Sequence, residues 1–402
     1  MNTRASTMAS WALVLSVWVI YTWAVWQFFT RPLPGGNDFL THYGAWEAYL
    51  RDGFNPYSDD AALHTQRAIY GRPALPDEDQ NRLAYPFYSI LIHGPFVLIE
   101  DYPLARAVYM SLSQVALLVG VILCLRLLRW QPPVGLLAFV LIWSLLFYPD
   151  ARGILIGQFA VLAFGALAAA LFFLSRRRDA LAGMILVFTT IKPPLVFLVV
   201  PFLLLWAVAR RRWHFVVGFC ALCGVLVVAS FIVLPDWFGD WLYRITQYTG
   251  YTHNQSPVWT IGLIGPWVTL VYVGALVLLL LWSWWRVLRS GGDEEFFWTL
   301  GITLVVTNLI SPRTATTDYV LMLVPTLGLF AALDRAPRWG RVVLIAIMLF
   351  ALVGLWVLQF TTVQGNWEQS VMYLPWPLAL GGVWVAGRRW LLDKFADLSC
   401  DG

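Results

Sequence analysis

Long apolar runs separated by short polar connections occupy most of this chain. The first run covers residues 8–29, and we expect an uncleaved spanning helix because a polar loop follows it rather than a small-residue cleavage site. Further runs lie at about 104–125, 133–149, 154–174, 180–191, 194–209, 213–234, 263–285, 295–311, 318–333, 341–360 and 374–387. A membrane crossing needs about 20 residues, so the shorter runs predict tilted, broken or half-length helices. The pattern predicts an all-α polytopic membrane protein, a single integral membrane domain over residues 1–402, with about 12 transmembrane or partly spanning helices.

The composition supports this fold class. Of the 402 residues, 59% are hydrophobic and only 12% are charged. Soluble domains carry about 25% charged residues, so lipid surrounds most of this chain. The formal net charge is only +4, which argues against nucleic acid as a partner and leaves membrane lipids as the surroundings.

Clusters of basic residues give the predicted orientation. They occur at 126–130, 175–179, 209–213, 284–290, 334–341 and 387–394. Because cytoplasmic loops carry an excess of Lys and Arg, we place all of these clusters in the cytoplasm, together with the N- and C-termini. The loops left on the outer side are long, mixed and aromatic. We therefore expect an extracytoplasmic site in a multi-pass protein of a bacterial inner (plasma) membrane.

The large outer loop, residues 30–103, begins with a predicted amphipathic helix over 38–51. Its apolar face recurs at helical spacing and consists of Phe39, Tyr43, Trp46 and Leu50. Such a helix is expected to lie along the membrane surface. Asp38 stands at its start. From spacing alone, two roles are open for Asp38: the N-cap of this helix and a residue that carries chemistry. One carboxylate can fill both roles.

A second element of the loop is a short apolar segment over 86–99. It is too short to cross a bilayer, and a His93-Gly94-Pro95 sequence interrupts it. We predict a re-entrant helix that enters the membrane from the outer side.

Several spaced motifs occur together in one order. They are "NDFLTHY" followed by "GFNPY", then "YPFYSILIHGPF", "GILIGQFAVL", "FTTIKPPLVFL" followed by "RRRW", and finally "NLISPRTATTDYVLMLVP". In this order and spacing the chain resembles glycosyltransferase family 87, from about Asp38 to Pro325. The resemblance implies a GT-C fold, with an active site on the outer face and a polyprenyl-phosphate sugar, usually mannose, as donor.

The resemblance also carries residue roles. The acidic residue of the family's "DF" pair corresponds to Asp38 and would be the catalytic base. The remaining correspondences are Tyr85-Pro86, Gly157-Gln158, Lys192-Pro193 and Ser311-Pro312. Three positions depart from the family pattern: Phe87 replaces a second proline, Ala160 replaces an asparagine, and Asp318 replaces a histidine found in some members. These departures concern the donor sugar and the acceptor.

Sugar transfer from a lipid phosphate needs a base for the acceptor hydroxyl and cations for the leaving phosphate. An inverting displacement needs only one carboxylate, which Asp38 would supply. Isolated cations in short outer turns are candidates for the phosphate, together with one outer histidine: Lys192, Arg152, Arg313 and His253. Each cation alone could instead snorkel to the membrane interface. Further candidates for substrate binding are His42, Tyr43, Tyr85, His93, Gln158 and Asp318.

A cofactor is not expected. The acidic stretch "DEDQ" at 77–80 of the large outer loop stands beside prolines and polar residues and indicates a solvated loop rather than a metal site. A monophosphate donor in a basic pocket can react without a divalent ion. We therefore predict a metal-independent hexosyltransferase whose partners are a polyprenyl-phosphate sugar donor and a lipid or glycan acceptor. The alternative is a membrane transporter or flippase of a lipid-linked or small solute, although internal repeats and mid-helix charges, which transporters favour, are lacking in the sequence.

Overall fold

The structure is a computed structural model that describes residues 3–76, 78–251, 256–311, 314–364 and 368–396. These residues form helices and connecting turns and no β-strand. The α-helices are α1 (Thr3–Val25), α2 (Asn37–Asp52), α3 (Asp59–Tyr70), α4 (Ile90–His93), α5 (Tyr102–Leu127), α6 (Val134–Leu146), α7 (Tyr148–Ile156), α8 (Ala160–Ser175), α9 (Asp179–Val187), α10 (Val199–Ala209), α11 (Trp213–Val233), α12 (Trp237–Tyr251), α13 (Pro257–Gly262), α14 (Pro266–Ser290), α15 (Asp293–Ile310), α16 (Leu323–Asp334), α17 (Gly340–Thr362), α18 (Pro375–Ala386) and α19 (Arg388–Phe395).

Tighter or wider helical turns extend several of these helices. A π-turn over Trp26–Thr30 continues α1. The 3₁₀ turns lie at Phe87–Ser89, Gly94–Leu98, Phe188–Ile191, Pro193–Leu195, Thr316–Met322 and Ser370–Tyr373. Two of them separate α9 from α10, where Pro193 and Pro194 cannot continue a helix. The all-α fold is therefore confirmed, and this break lies between the apolar runs 180–191 and 194–209.

The described residues contain six helices long and apolar enough to cross a membrane. They are Ser10–Thr30, Tyr102–Leu127, Trp213–Val233, Pro266–Arg289, Thr316–Asp334 and Gly340–Thr362. The bent pair α6 and α7, with 52° between its halves, adds a seventh if it is one span. Shorter apolar helices lie at Phe87–Leu98, Ala160–Ser175, Asp179–Ile191, Val199–Ala209 and Ser370–Ala386. The chain is thus a multi-pass membrane protein, but the predicted count of about 12 helices is not confirmed.

The chain divides into two compact units. The first unit comprises Met1–Val115, Ile154–Gln158 and Ser230–Thr252, and the second comprises Ala116–Gly153, Phe159–Ala229 and His253–Gly402. The single domain expected from the sequence stays a prediction.

The first unit is built around the loop over residues 30–103. Helix α2 packs on α3, on α4 and on the 3₁₀ turn that follows α4. It buries Phe39, Tyr43 and Trp46, while Leu50 is 48% exposed. Gly53 ends α2 in a left-handed conformation with φ of 73°, which glycine adopts without steric cost. The structure has a helix over Asn37–Asp52 where the sequence predicts one over 38–51. Its position at the membrane surface and the membrane entry of 86–99 stay predictions.

The second unit has its interior along α15 and the stretch Thr316–Asp334. The apolar part of that stretch is 94% buried, so protein rather than lipid surrounds it. Close helix packing relies on glycine: a Cβ on Gly183 of α9 would overlap the Phe215 carbonyl, and one on Gly218 of α11 would overlap the Ala180 carbonyl. Small residues allow such close approach between membrane helices.

Candidate functional site

Asp38 lies in the first turn of α2, and its side chain is partly exposed. The N-cap of this helix is Gly36, in a left-handed conformation with φ of 74°. Asp38 is therefore the second residue of the helix, and the prediction that it is the N-cap is wrong. The two glycines before the helix allow the chain to turn two residues earlier than the acidic residue suggested.

A glutamine amide contacts the Asp38 carboxylate. Gln158 donates from Nε2 to Asp38 Oδ2 at 2.5 Å. Tyr85 donates from its hydroxyl to Gln158 Oε1 at 3.1 Å. Because the hydroxyl occupies the oxygen end of the amide, the nitrogen end is directed at Asp38. The structure thus brings together three residues that were predicted separately from distant motifs, and it joins them in the order Tyr85, Gln158, Asp38.

The residue before this glutamine, Gly157, has to be a glycine. Its φ is +76°, and a Cβ at this position would overlap Phe39 Cβ. Phe39 is fully buried and follows Asp38 directly. Gly157 therefore lets the chain that carries Gln158 approach the chain that carries Asp38, which a residue with a side chain would prevent.

Two of the three histidines of the first unit, His42 and His93, form part of an aromatic stack. The His42 ring lies 4.2 Å from the Tyr85 ring and 4.4 Å from the His93 ring, measured between centroids. Burial lowers the pKa of His93 to about 4, so its imidazole is neutral at pH 7. A neutral His93 can shape the wall beside Tyr85 but offers no charge to a phosphate.

Tyr43 is held by the loop rather than presented to solvent. Its hydroxyl donates to the Ile99 carbonyl at 3.0 Å, and its side chain is buried. Burial, with a smaller contribution from Glu47, raises the pKa of Tyr43 to about 12. The phenol therefore stays protonated, and its contact supports the fold of the loop.

In the second unit, Lys192 pairs with Asp318. The Lys192 Nζ lies 2.5 Å from Asp318 Oδ1, and both side chains are largely buried. The other carboxylate oxygen accepts from Thr314 Oγ1 at 3.3 Å and from the Ala315 amide at 3.1 Å. Asp318 thus holds both the cation and the start of the Thr316–Met322 turn.

Arg152 makes the second ion pair of this unit. Its guanidinium lies 2.6 Å from Glu368, whose side chain is only 2% exposed. Glu368 also accepts from the Tyr148 hydroxyl at 2.6 Å and from the Thr316 hydroxyl. Since Asp318 and Thr316 belong to one turn, the structure brings Lys192 and Arg152 to the same short segment. Each cation is neutralised by a carboxylate.

Two predicted residues, Arg313 and His253, lie outside the residues that the structure describes. Within the described residues, no three or more His, Cys, Asp or Glu side chains are grouped to hold a metal ion. Metal independence stays a prediction, as does the role of each site residue.

Sequence reasoning missed Arg106 and Glu368. Arg106 is a lone cation near the start of α5 and is only 4% exposed. Glu368 is an acidic residue in the connection between α17 and α18. A charge isolated beside apolar sequence was the available signal, because burying it requires a partner. The partners themselves lie far away in the sequence.

Comparison with known proteins assigns the family. The model of glycosyltransferase family 87 matches residues 83–312, more than half of the chain. The matched range includes Tyr85, Gln158 and Lys192, whereas Asp38 and Asp318 lie outside it. No curated protein and no solved structure matches the chain. With its apolar spans, the chain belongs to glycosyltransferase family 87 and is a membrane glycosyltransferase.

Proposed function

We propose that the protein transfers a hexose, with mannose expected, from a polyprenyl-phosphate sugar to a lipid-linked or glycan acceptor. The reaction takes place on the extracytoplasmic face of a bacterial plasma membrane, by inverting displacement with Asp38 as general base. Family membership supports sugar transfer. The observation that carries the catalytic assignment is the 2.5 Å contact between Gln158 and Asp38, because it fixes one carboxylate in a partly exposed position.

The chemistry needs one proton acceptor. Asp38 takes the proton of the acceptor hydroxyl as that oxygen bonds to the anomeric carbon of the donor. The bond between this carbon and the phosphate oxygen breaks, and the polyprenyl phosphate leaves with the electron pair. A carboxylate that accepts from an uncharged amide keeps its negative charge and its capacity to take the proton.

The leaving phosphate needs positive charge. The proposed ligands are Lys192 and Arg152, with Arg313 and His253 as the further ligands predicted from the sequence. Because both described cations are ion-paired, phosphate binding would replace part of a carboxylate contact by a charge-assisted contact to phosphate oxygen. A monophosphate neutralised in this way needs no divalent ion.

The test is a transfer assay with the full chain in nanodiscs. The donor is radiolabelled polyprenyl-phosphate mannose, and octyl mannoside is the acceptor probe. We expect labelled octyl dimannoside, unaffected by EDTA, and we expect Asp38→Asn to lower the rate about 1,000-fold while leaving the thermal unfolding temperature unchanged. Asp60→Asn is the matched control, since Asp60 is an exposed acid in the first turn of α3.

Three outcomes would overturn parts of this proposal. Full activity of Asp38→Asn at normal expression removes Asp38 as the base. Loss of activity in EDTA with recovery in magnesium removes the metal-independent mechanism. Transfer from polyprenyl-phosphate glucose but not from the mannose donor corrects the sugar.

A further inference from the structure

A single buried arginine connects the two segments that carry Asp38 and Gln158. Arg106 donates from Nη1 to the carbonyls of Leu33 and Pro34, at 2.6 and 2.7 Å. It donates from Nη2 to the carbonyl of Leu155 at 2.7 Å. Charge-assisted hydrogen bonds of this length are among the strong contacts of a protein interior.

The contacted carbonyls lie just before the two functional positions. Leu33 and Pro34 precede the glycine turn that starts α2, and Asp38 stands in its first turn. Leu155 is the penultimate residue of α7, and Ile156 separates it from Gly157 and Gln158. Arg106 therefore sets the spacing between two backbone segments whose side chains meet in the contact between Gln158 and Asp38.

The geometry is specific to a guanidinium and to glycine. The planar fork of arginine places its two terminal nitrogens so that they point to different acceptors, which the single nitrogen of lysine cannot reproduce. A Cβ on Gly36 would overlap Nε of Arg106, so the loop approaches the arginine closely only without a side chain there. Tyr102 supports one side alone, because its hydroxyl donates to the carbonyls of Gly35 and Gly36 at 2.8 and 3.2 Å.

We propose that Arg106 is a positioning residue for sugar transfer: by bridging the Leu33–Pro34 and Leu155 carbonyls it holds Asp38 and Gln158 in reacting geometry. This proposal rests on the proposed function, in which Asp38 is the base. It assigns Arg106 no contact with substrate. Since a displacement of about 1 Å caused by a remote mutation can lower a rate about 100-fold, losing the bridge should act on kcat.

The kinetic test uses Arg106→Lys, which keeps the charge and removes the fork. We expect kcat to fall about 100-fold with the KM for polyprenyl-phosphate mannose nearly unchanged. Gly36→Ala presses on the same arginine without removing it and should give the same split, so the test survives if Arg106→Lys does not fold. Arg335→Lys is the matched control, because Arg335 also donates to carbonyls, those of Leu128 and Lys394, at 2.6 and 3.3 Å. It should keep the wild-type kcat.

Hydrogen exchange supplies a readout that needs no activity. In Arg106→Lys the amides of 33–40 and of 154–158 should both exchange faster, while Tyr102→Phe should loosen only 33–40. Wild-type kcat in Arg106→Lys, or faster exchange at only one of the two segments, overturns the bridge. If wild-type protein transfers no sugar but both segments loosen together, the bridge stands and the proposed function fails.

Discussion

The acid in the first unit and the cations in the second are held in opposite ways. Asp38 accepts from the uncharged amide of Gln158. Lys192 and Arg152 are each paired with a carboxylate that is nearly inaccessible to solvent. In these contacts an uncharged amide orients the Asp38 carboxylate, whereas carboxylates compensate the charges of Lys192 and Arg152.

These two arrangements suit different roles. A carboxylate held by an amide is oriented while its charge stays available to a proton. A buried cation with a carboxylate partner is stable, but its charge is already balanced. We infer that removing charge should cost activity in the first unit and stability in the second.

The largest expected effect is the loss of Glu368. Glu368→Ala leaves Arg152, Tyr148 and Thr316 without their shared acceptor in a buried place. Breaking a buried ion pair from one side costs about 3–5 kcal/mol, so the free energy of unfolding should fall by about that amount. Thermal unfolding in nanodiscs measures it.

Two variants bracket this result. Glu368→Gln keeps an acceptor oxygen and should lose less stability than Glu368→Ala. Glu100→Ala removes an exposed acid and should stay within about 0.5 kcal/mol of wild type. Equal stability of Glu368→Ala and Glu100→Ala would show that the cluster does not compensate a buried charge.

The second prediction separates a structural role of Lys192 from a phosphate role. Lys192→Met leaves Asp318 as a buried carboxylate without this partner and should cost about 3 kcal/mol of stability. The double variant Lys192→Met with Asp318→Asn removes both charges and should recover most of that loss. If Lys192 binds the donor phosphate, the recovered protein should still show a KM for the donor about tenfold above wild type, from the loss of one charge-assisted contact. A normal KM in the stable double variant would confine Lys192 to structure.

These residues also show what sequence could provide. Hydropathy located the helices, because apolar periodicity is a local property of the chain. It did not locate the contacts of Glu368, since Tyr148 lies 220 residues away. The N-cap role considered for Asp38 was wrong for a related reason. Gly36 is the N-cap of α2 and makes no side-chain hydrogen bond, so the helix begins earlier than a search for polar N-cap residues suggests.

At Gln158 the family motifs gave more information about the site than hydrophobic periodicity did. The resemblance marked Gly157 and Gln158 as a site without saying what they touch. The structure supplies the physical reason, which is the close approach of Gly157 to Phe39 beside Asp38. A sequence signal existed for this pair, whereas Arg106 had none beyond its isolation in an apolar run.

The third prediction replaces the uncharged amide of Gln158 by a charged group. Gln158→Glu replaces the donor to Asp38 by a second carboxylate, and two adjacent carboxylates repel or share one proton. We expect kcat to fall about 100-fold, with little change in the unfolding temperature. Gln80→Glu is the control, because the Gln80 amide donates only to the backbone oxygens of Leu75 and Glu78 among its described contacts. Unchanged kcat in Gln158→Glu would mean that the amide does not orient the base.

The smallest expected effect is the loss of the Tyr85 hydroxyl. Tyr85→Phe removes the donor to Gln158 Oε1, so the amide is less strongly held with its nitrogen toward Asp38. A neutral hydrogen bond contributes about 1 kcal/mol, and we expect kcat to fall about fivefold. Tyr70→Phe loses a hydroxyl that donates to the Asp79 carbonyl at the same 3.1 Å, and it should keep the wild-type kcat. If Tyr85→Phe behaves like Tyr70→Phe, orientation of the base ends at Gln158; if it lowers kcat in the Gln158→Glu background as well, Tyr85 acts on the substrate rather than through the amide.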